Sequence, residues 1–251
     1  MVQYGLIGYP LGHSFSKKYF TEKFEIEKIQ AEYLNFEIEN LDILPDLLEK
    51  HPDLRGFNVT IPHKQHILPF LAKQSEEALA IGAVNCVKIE RHASNYQLIG
   101  YNTDIYGFRK ALLNFIPPGI KYSLVLGNGG AAKAIRYTLH QLGITSLTVS
   151  RTPRSGQEIG YTEVAPYLAD HLLLVNTTPL GTWPNIADFP PIPYEHLTPR
   201  HYLFDLVYNP ENTAFMKRGA AAGAHVCNGW GMLIGQAEAG WKIWTTDHPS
   251  E

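Results

Sequence analysis

Lys121-Tyr122-Ser123-Leu124-Val125-Leu126-Gly127-Asn128-Gly129-Gly130-Ala131-Ala132 is the stretch that decides the fold. Its apolar run, Leu124-Val125-Leu126, reads as a short buried strand that feeds directly into a glycine turn, and Ala131 to Leu142 reads as a helix. Gly127 allows the chain to leave the strand at a φ closed to other residues. Gly129 has no side chain, so a pyrophosphate can approach the backbone. Ala132 stands where the third small residue of G-x-G-x-x-G/A is needed for close packing of helix on sheet. Strand, turn and helix in this order predict a dinucleotide site. Gly127, Asn128, Gly129, Gly130 and Ala131 would surround the anion, and the free N–H groups at the helix start would face it. The plainer alternative is a glycine turn in a βαβ unit that binds nothing.

The following strand tests that reading. A site for NAD usually carries Asp or Glu about 20 residues past the glycines, against the ribose hydroxyls. Here Leu147-Thr148-Val149 ends in Ser150-Arg151-Thr152-Pro153-Arg154, with two guanidiniums and no carboxylate. Guanidinium forks suit a 2′-phosphate, so the segment predicts NADP over NAD, unless both arginines are only solvated surface charges.

Composition narrows the class. A chain of 251 residues with 45% hydrophobic content has room for one large or two modest cores. A net charge of −3 gives no case for nucleic acid or an anionic membrane surface as partner. Cys86 and Cys227, the only cysteines, lie in apolar contexts, which favours buried thiols in a reducing compartment over a disulfide. The start, MVQYGLIGYP, lacks a basic region followed by a long apolar core, so a cytoplasmic protein is expected. His63 and His66 are three apart without Cys or Glu to complete a metal site, and no G-x-S-x-G elbow is present.

In chain order, Val2 to Ile7 predicts a strand, Lys17 to Gln30 a helix, Ala31 to Ile38 a strand, Leu41 to Lys50 a helix and Gly56 to Thr60 a strand. This β-α-β-α-β grammar is that of an α/β sheet. Ser14 and Ser16, at the first helix entrance, read equally well as N-caps or as hydroxyls aimed at an anionic ligand. Lys64 opens a short helical stretch at a strand's C-terminal exit, where open α/β sheets place ligands, though a surface lysine fits too. A helix over Ser75 to Ile81 leads into a hairpin over Ala83 to Asn102. Asp104 then begins a helix, as an N-cap or as a functional carboxylate. Beyond the glycine turn come a helix-like turn near Tyr161 to Leu168, the strands Leu172 to Asn176 and Tyr202 to Tyr208, and a helix Thr213 to Ala222. A last short strand, His225 to Cys227, precedes a final helix, Met232 to Trp244, that carries Gln236. The nucleotide domain is expected to have six strands.

The motifs in order add a family. Gly8-Tyr9-Pro10-Leu11-Gly12-His13-Ser14-Phe15-Ser16, Asn58-Val59-Thr60-Ile61-Pro62-His63-Lys64, Gly82-Ala83-Val84-Asn85 and Gly100-Tyr101-Asn102-Thr103-Asp104 together resemble shikimate dehydrogenases. Gly127 to Ala132, Asn176-Thr177-Thr178-Pro179 and Gly229-Trp230-Gly231-Met232-Leu233 extend the match over nearly the whole chain. The resemblance implies an α/β substrate domain over residues 1–103, a Rossmann-type doubly wound NADP-binding domain over 104–228, and a helical segment, 229–251, returning to the first. It implies reduction of 3-dehydroshikimate to shikimate by NADPH, in a monomer or homodimer with a small-molecule substrate. Ser14 and Ser16 would hold the substrate carboxylate, helped by Tyr208. Thr60, Lys64, Asn85, Asp104 and Gln236 would hold the ring hydroxyls, with Lys64 and Asp104 as the catalytic pair. The cofactor would take the glycine turn, Ser150, Arg151, Thr152, Arg154, Thr177, Leu206 and Gly229, with Glu76 at a position sometimes assigned to it. Two other readings stay open: an NAD-using quinate/shikimate dehydrogenase, and a catalytically silent cofactor-binding relative. The sequence departs from the family pattern at Lys17, where proline is usual, at Ser150, where asparagine is usual, and in an arginine segment one residue shorter. The stretch after Arg154 is also short, which predicts that the helix normally following it is trimmed.

Overall fold

The computed structural model describes residues 1–12, 15–92, 95–154 and 156–246. It divides into two compact units, Met1–Thr103 with Ala237–Glu251, and Asp104–Gln236.

The first unit is built on β1 (Val2–Gly8), α1 (Phe15–Ile26), β2 (Ala31–Glu37), α2 (Leu44–Lys50), β3 (Leu54–Val59), β4 (Lys73–Gln74), α3 (Glu76–Ile81), β5 (Cys86–His92) and β6 (Asn95–Tyr101). Its strands form one six-stranded sheet in the order β2-β1-β3-β5-β6-β4. β1 pairs parallel with β2 and β3, whereas β5 pairs antiparallel with β3 and β6. Alternation along the strands sends side chains to both faces. Ile7, Phe57, Val59 and Val87 pack with Leu44, Leu48 and Ile67. Tyr4, Leu6, Tyr33 and Cys86 pack with Phe20, Phe24 and Trp244. Burying an aromatic of this size stabilises by roughly 1.5–3 kcal/mol, so both faces contribute to holding the sheet.

The second unit contains α4 (Asp104–Phe115), β7 (Tyr122–Leu126), α5 (Gly130–Gln141), β8 (Thr145–Val149), β9 (Glu158–Ile159), β10 (Leu173–Asn176), β11 (Tyr202–Asp205), α6 (Ala214–Ala221), β12 (His225–Cys227) and the start of α7 (Trp230–Thr245). Its six strands run β12-β11-β10-β7-β8-β9, and every pairing is parallel. A parallel sheet needs cover on both faces. Leu124 and Leu126 face Leu168, Leu203 and Phe215, while Val125 faces Phe108, Leu112, Ile135 and Leu139. This is the doubly wound α/β arrangement expected from the glycine stretch.

Several local expectations shift. α1 begins at Phe15, before Lys17, so Ser16 already lies in the helix rather than capping it. Gly82 is the left-handed cap of α3, φ +68°, and the strand begins only at Cys86. The segment around Lys64 is a chain of turns ending in a short 3-10 helix, Leu68–Phe70, with Pro69 near its start. After Arg154 two short 3-10 helices, Tyr161–Glu163 and Ala165–Ala169, stand where a longer helix was expected to be trimmed. The last helix divides at Ala237 rather than joining the first unit from Gly229. Its start packs on α4, where Gly107 lies against the Met232 carbonyl and Gly235. Its end belongs to the first unit. Tyr19 donates to Glu238, Lys23 reaches the same carboxylate at 3.0 Å, and Trp244 Nε1 donates to the Val87 carbonyl at 3.0 Å.

Candidate active site

In the first unit, three loops that follow strands are stitched together by backbone and amide bonds. β3 exits through Thr60, whose N–H donates to the Ile7 carbonyl at 2.9 Å and whose carbonyl accepts from His63 at 2.8 Å. His63 is buried, and its Nε2 donates to the Ile38 carbonyl at 2.7 Å. Lys64, half-buried, accepts the Val84 N–H on its carbonyl at 2.8 Å, which ties it to the segment that carries Asn85. Asn85 is 3% exposed. Its Oδ1 accepts the Thr103 N–H at 2.6 Å and the Thr103 hydroxyl at 3.1 Å, and its own N–H donates to the Tyr101 carbonyl. Asn102 Nδ2 donates to the Ala83 carbonyl at 3.0 Å. Buried polar groups are fixed this way because leaving one unpaired costs about 1–3 kcal/mol. Thr60, Lys64 and Asn85 are therefore held on one framework, which sequence spacing did not reveal.

Ser16 lies in the first turn of α1, and its hydroxyl bonds the Tyr33 phenol. Burial pushes Tyr33 well above its usual pKa, with the Ser16 bond acting against it, and the Tyr33 hydroxyl donates to Asn58 Oδ1 at 2.7 Å. Ser14 lies outside the described residues. Glu76 is exposed in the first turn of α3, whose cap is Ser75 accepting from Ala78 at 3.2 Å; an acidic side chain is ordinary there. Cys86 is fully buried, and burial pushes its thiol up, so it is unsuited to chemistry.

The second unit holds the nucleotide-type cradle. Gly127 adopts φ +107°, and a Cβ there would meet Thr177 Oγ1 at 2.8 Å. Its N–H donates to the Val149 carbonyl at 2.8 Å, and Thr177 Oγ1 donates to the Leu126 carbonyl at 2.7 Å. Gly129 is the N-cap of α5 and makes no side-chain cap bond. A Cβ built on Gly129 or Gly130 would meet nothing within 4 Å, so space for a ligand lies directly over the helix N-terminus. A cavity of about 670 Å³ opens here, lined by Gly127, Asn128, Gly129, Ser150, Arg151, Thr152, Arg154 and Thr177. The glycine turn and the arginine segment thus meet in one place, with Gly130 and Ala131 opening the helix beside it. An open glycine cradle with two exposed arginines fits a dinucleotide that carries an extra phosphate.

Sequence reasoning missed other parts of this unit. Tyr161, Thr178, Pro179, Leu180, Phe189 and Pro191 complete the cavity wall. A carboxylate does reach the arginine segment, against expectation. Glu158 returns on β9 and accepts from Asn128 Nδ2 at 2.6 Å and the Arg154 N–H at 2.9 Å. Asp205, fully buried at the end of β11, accepts from Asn176 Nδ2 at 2.9 Å, the Val207 N–H at 3.0 Å and the Thr213 hydroxyl at 2.6 Å. Burial pushes its pKa up to about 6 against those bonds. A charge inside the apolar strand Tyr202 to Tyr208 was the signal for it.

Asp205 shapes the chain that follows. The Leu206 N–H donates to the Asn176 carbonyl at 3.0 Å, and a Cβ on Gly229 would come within 2.1 Å of the Leu206 carbonyl, so only glycine fits. Tyr208 is part-exposed, its ring 6.4 Å from that of Trp230. Asp104 is buried as the first residue of α4, inside the helix rather than capping it. Gln236 lies on α7, its backbone against Gly107.

Residues 6–87 match a family model described as the shikimate dehydrogenase substrate binding domain. A shikimate dehydrogenase (NADP(+)) of Clostridium beijerinckii is 38% identical over 253 residues, covering 96% of this chain and 91% of its own. One from Desulforamulus reducens is 32% identical, covering 96% and 89%. The crystal structure of the Thermus thermophilus shikimate 5-dehydrogenase, in complex with NADP(H) and shikimate, superposes with a TM-score of 0.84 at 30% identity, covering 100% of this chain and 95% of that one.

Proposed function

This chain belongs to the shikimate dehydrogenase family, and from that premise we propose that it catalyses the reversible, NADPH-dependent reduction of 3-dehydroshikimate to shikimate. The observation that carries the reading is the single cavity that unites an uncapped glycine cradle with Arg151 and Arg154. When bound, NADPH supplies the hydride. Gly127 to Ala131 take the pyrophosphate, Ser150, Arg151, Thr152 and Arg154 the ribose phosphate, and Thr177, Leu206 and Gly229 the nicotinamide end. Glu76 has little to support a cofactor role beyond the family match.

The polar residues named through the family match suit the substrate. Reduction of the ring ketone leaves a developing alkoxide that must be neutralised. Lys64 donates a hydrogen bond to that oxygen and then its proton. Asp104 holds the neighbouring ring hydroxyl and orients the exchange, with Thr60, Asn85 and Gln236 on the remaining hydroxyls. Ser14, Ser16 and Tyr208 take the carboxylate. Such a set of polar groups selects a polyhydroxylated ring, because an analogue lacking a hydroxyl leaves a buried group unpaired. The chain works as a monomer or homodimer in the cytoplasm. Among the described residues no helix is long and apolar enough to cross a membrane.

The test is reduced-nicotinamide absorbance with purified protein, shikimate and either NADP or NAD. Reduction of NADP well ahead of NAD supports the reading. Preferential use of NAD overturns the cofactor assignment, and absence of turnover with both overturns the activity.

A further inference from the structure

Glu158 stands behind the wall of the nucleotide cavity rather than in it. Its Oε1 accepts from Asn128 Nδ2 at 2.6 Å, and its Oε2 accepts from the Arg154 N–H at 2.9 Å and the Ser150 hydroxyl at 3.4 Å. Asn128, Ser150 and Arg154 all line the cavity. Arg136 reinforces the same group from α5, its Nη1 reaching Asn128 Oδ1 at 3.4 Å and Thr148 Oγ1 at 2.9 Å. One carboxylate thus links the glycine turn to the arginine segment, two stretches that are separate in the sequence.

The local chain explains the need. Between β8 and β9 the backbone is held to the sheet by Thr148 N–H to the Gln157 carbonyl at 3.2 Å and Ser150 N–H to the Ile159 carbonyl at 2.9 Å. Arg151 to Arg154 have no regular structure of their own. An ionised carboxylate is acceptor-only with about four lone-pair sites, so it can receive three donors at once. A negative charge here opposes a phosphate by Coulomb repulsion, and that cost is met only if the shape it maintains is worth more to the ligand.

We propose that Glu158 is a positioning residue for cofactor selection: it holds Asn128, Ser150 and the Arg154 backbone so that the arginine segment presents a preformed receptor for the 2′-phosphate. The proposal rests on the NADP reading above. Its effect falls mainly on the phosphorylated cofactor, because NAD shares the glycine turn but lacks the group that the arginine segment receives.

Calorimetric titration of NADP⁺ and NAD⁺ into wild type, Glu158→Ala and Glu158→Gln tests it without turnover. The expected result is a Kd for NADP⁺ raised about tenfold in Glu158→Ala, with Kd for NAD⁺ nearly unchanged, which also reports a folded site. Glu158→Gln, which retains one acceptor oxygen, should lose less. A Kd for NADP⁺ that is unchanged or falls in Glu158→Ala overturns the proposal, the fall because charge repulsion then outweighs positioning. An equal rise for both nucleotides also overturns it, since that is general loosening. Wild-type protein that binds neither nucleotide overturns this proposal together with the cofactor reading.

Discussion

Asn85 and Gly129 represent two ways of preparing a polar site. In the first unit, Asn85, Asn102 and Tyr33 are buried and bonded to neighbouring backbone and side chains before any ligand arrives. In the second, the cradle is made by omission: glycines with open space over them, an uncapped helix end, and exposed arginines. The first arrangement suits chemistry, where a displaced group forfeits rate. The second suits affinity, where backbone N–H groups and exposed cations meet a large anion. The difference teaches that substitutions among the substrate residues and in the glycine cradle should separate turnover from cofactor binding.

The largest effect should come from the first helical residue of α4. Asp104→Asn should lower turnover by about 10²–10⁴ while Kd for NADPH stays within about twofold; a comparable loss of binding would erase the separation. Next comes the buried carboxylate of the second unit. Asp205 has a folded pKa of about 6 against an ordinary 3.8. As pH rises the unfolded chain therefore loses this proton first. The cost to stability is absent below about pH 4, grows up to about pH 6 and is fully present above, reaching on the order of 3 kcal/mol. Urea unfolding of wild type and Asp205→Asn across that window should show the stability difference moving in the variant's favour as pH rises. A constant difference would remove Asp205 as the source.

Arg151→Ala sharpens the comparison within the cradle. An exposed guanidinium on a phosphate should give about a tenfold rise in KM for NADPH, with little change for NADH. Equal changes would break the 2′-phosphate assignment. The smallest effect belongs far from the chemistry: Ser75→Ala removes the α3 cap and should cost about 1 kcal/mol in thermal unfolding, with kcat and KM untouched.

Much of this was legible in the chain. Leu124 to Ala132 announced strand, turn and helix because each local preference agreed with the next. The parallel sheet followed from apolar runs between helical periods. Asn85 was named through its motif, but its bonds to Thr103 depend on the hairpin bringing two strand ends together, which spacing alone does not encode. Glu158 was missed for a related reason. The expectation looked for a carboxylate at the end of β8, and the chain supplies one from β9 after a turn. α1 starts at Phe15 rather than Lys17 because apolar periodicity does not fix a helix end to the residue.

The most direct test of the account pairs two readings on one variant. Lys64→Ala should slow 3-dehydroshikimate reduction at saturating NADPH by at least about two decades, while fluorescence titration returns a wild-type affinity for NADPH. Unchanged turnover, or affinity and turnover falling together, would contradict the claim that Lys64 performs the proton chemistry and the glycine cradle holds the cofactor.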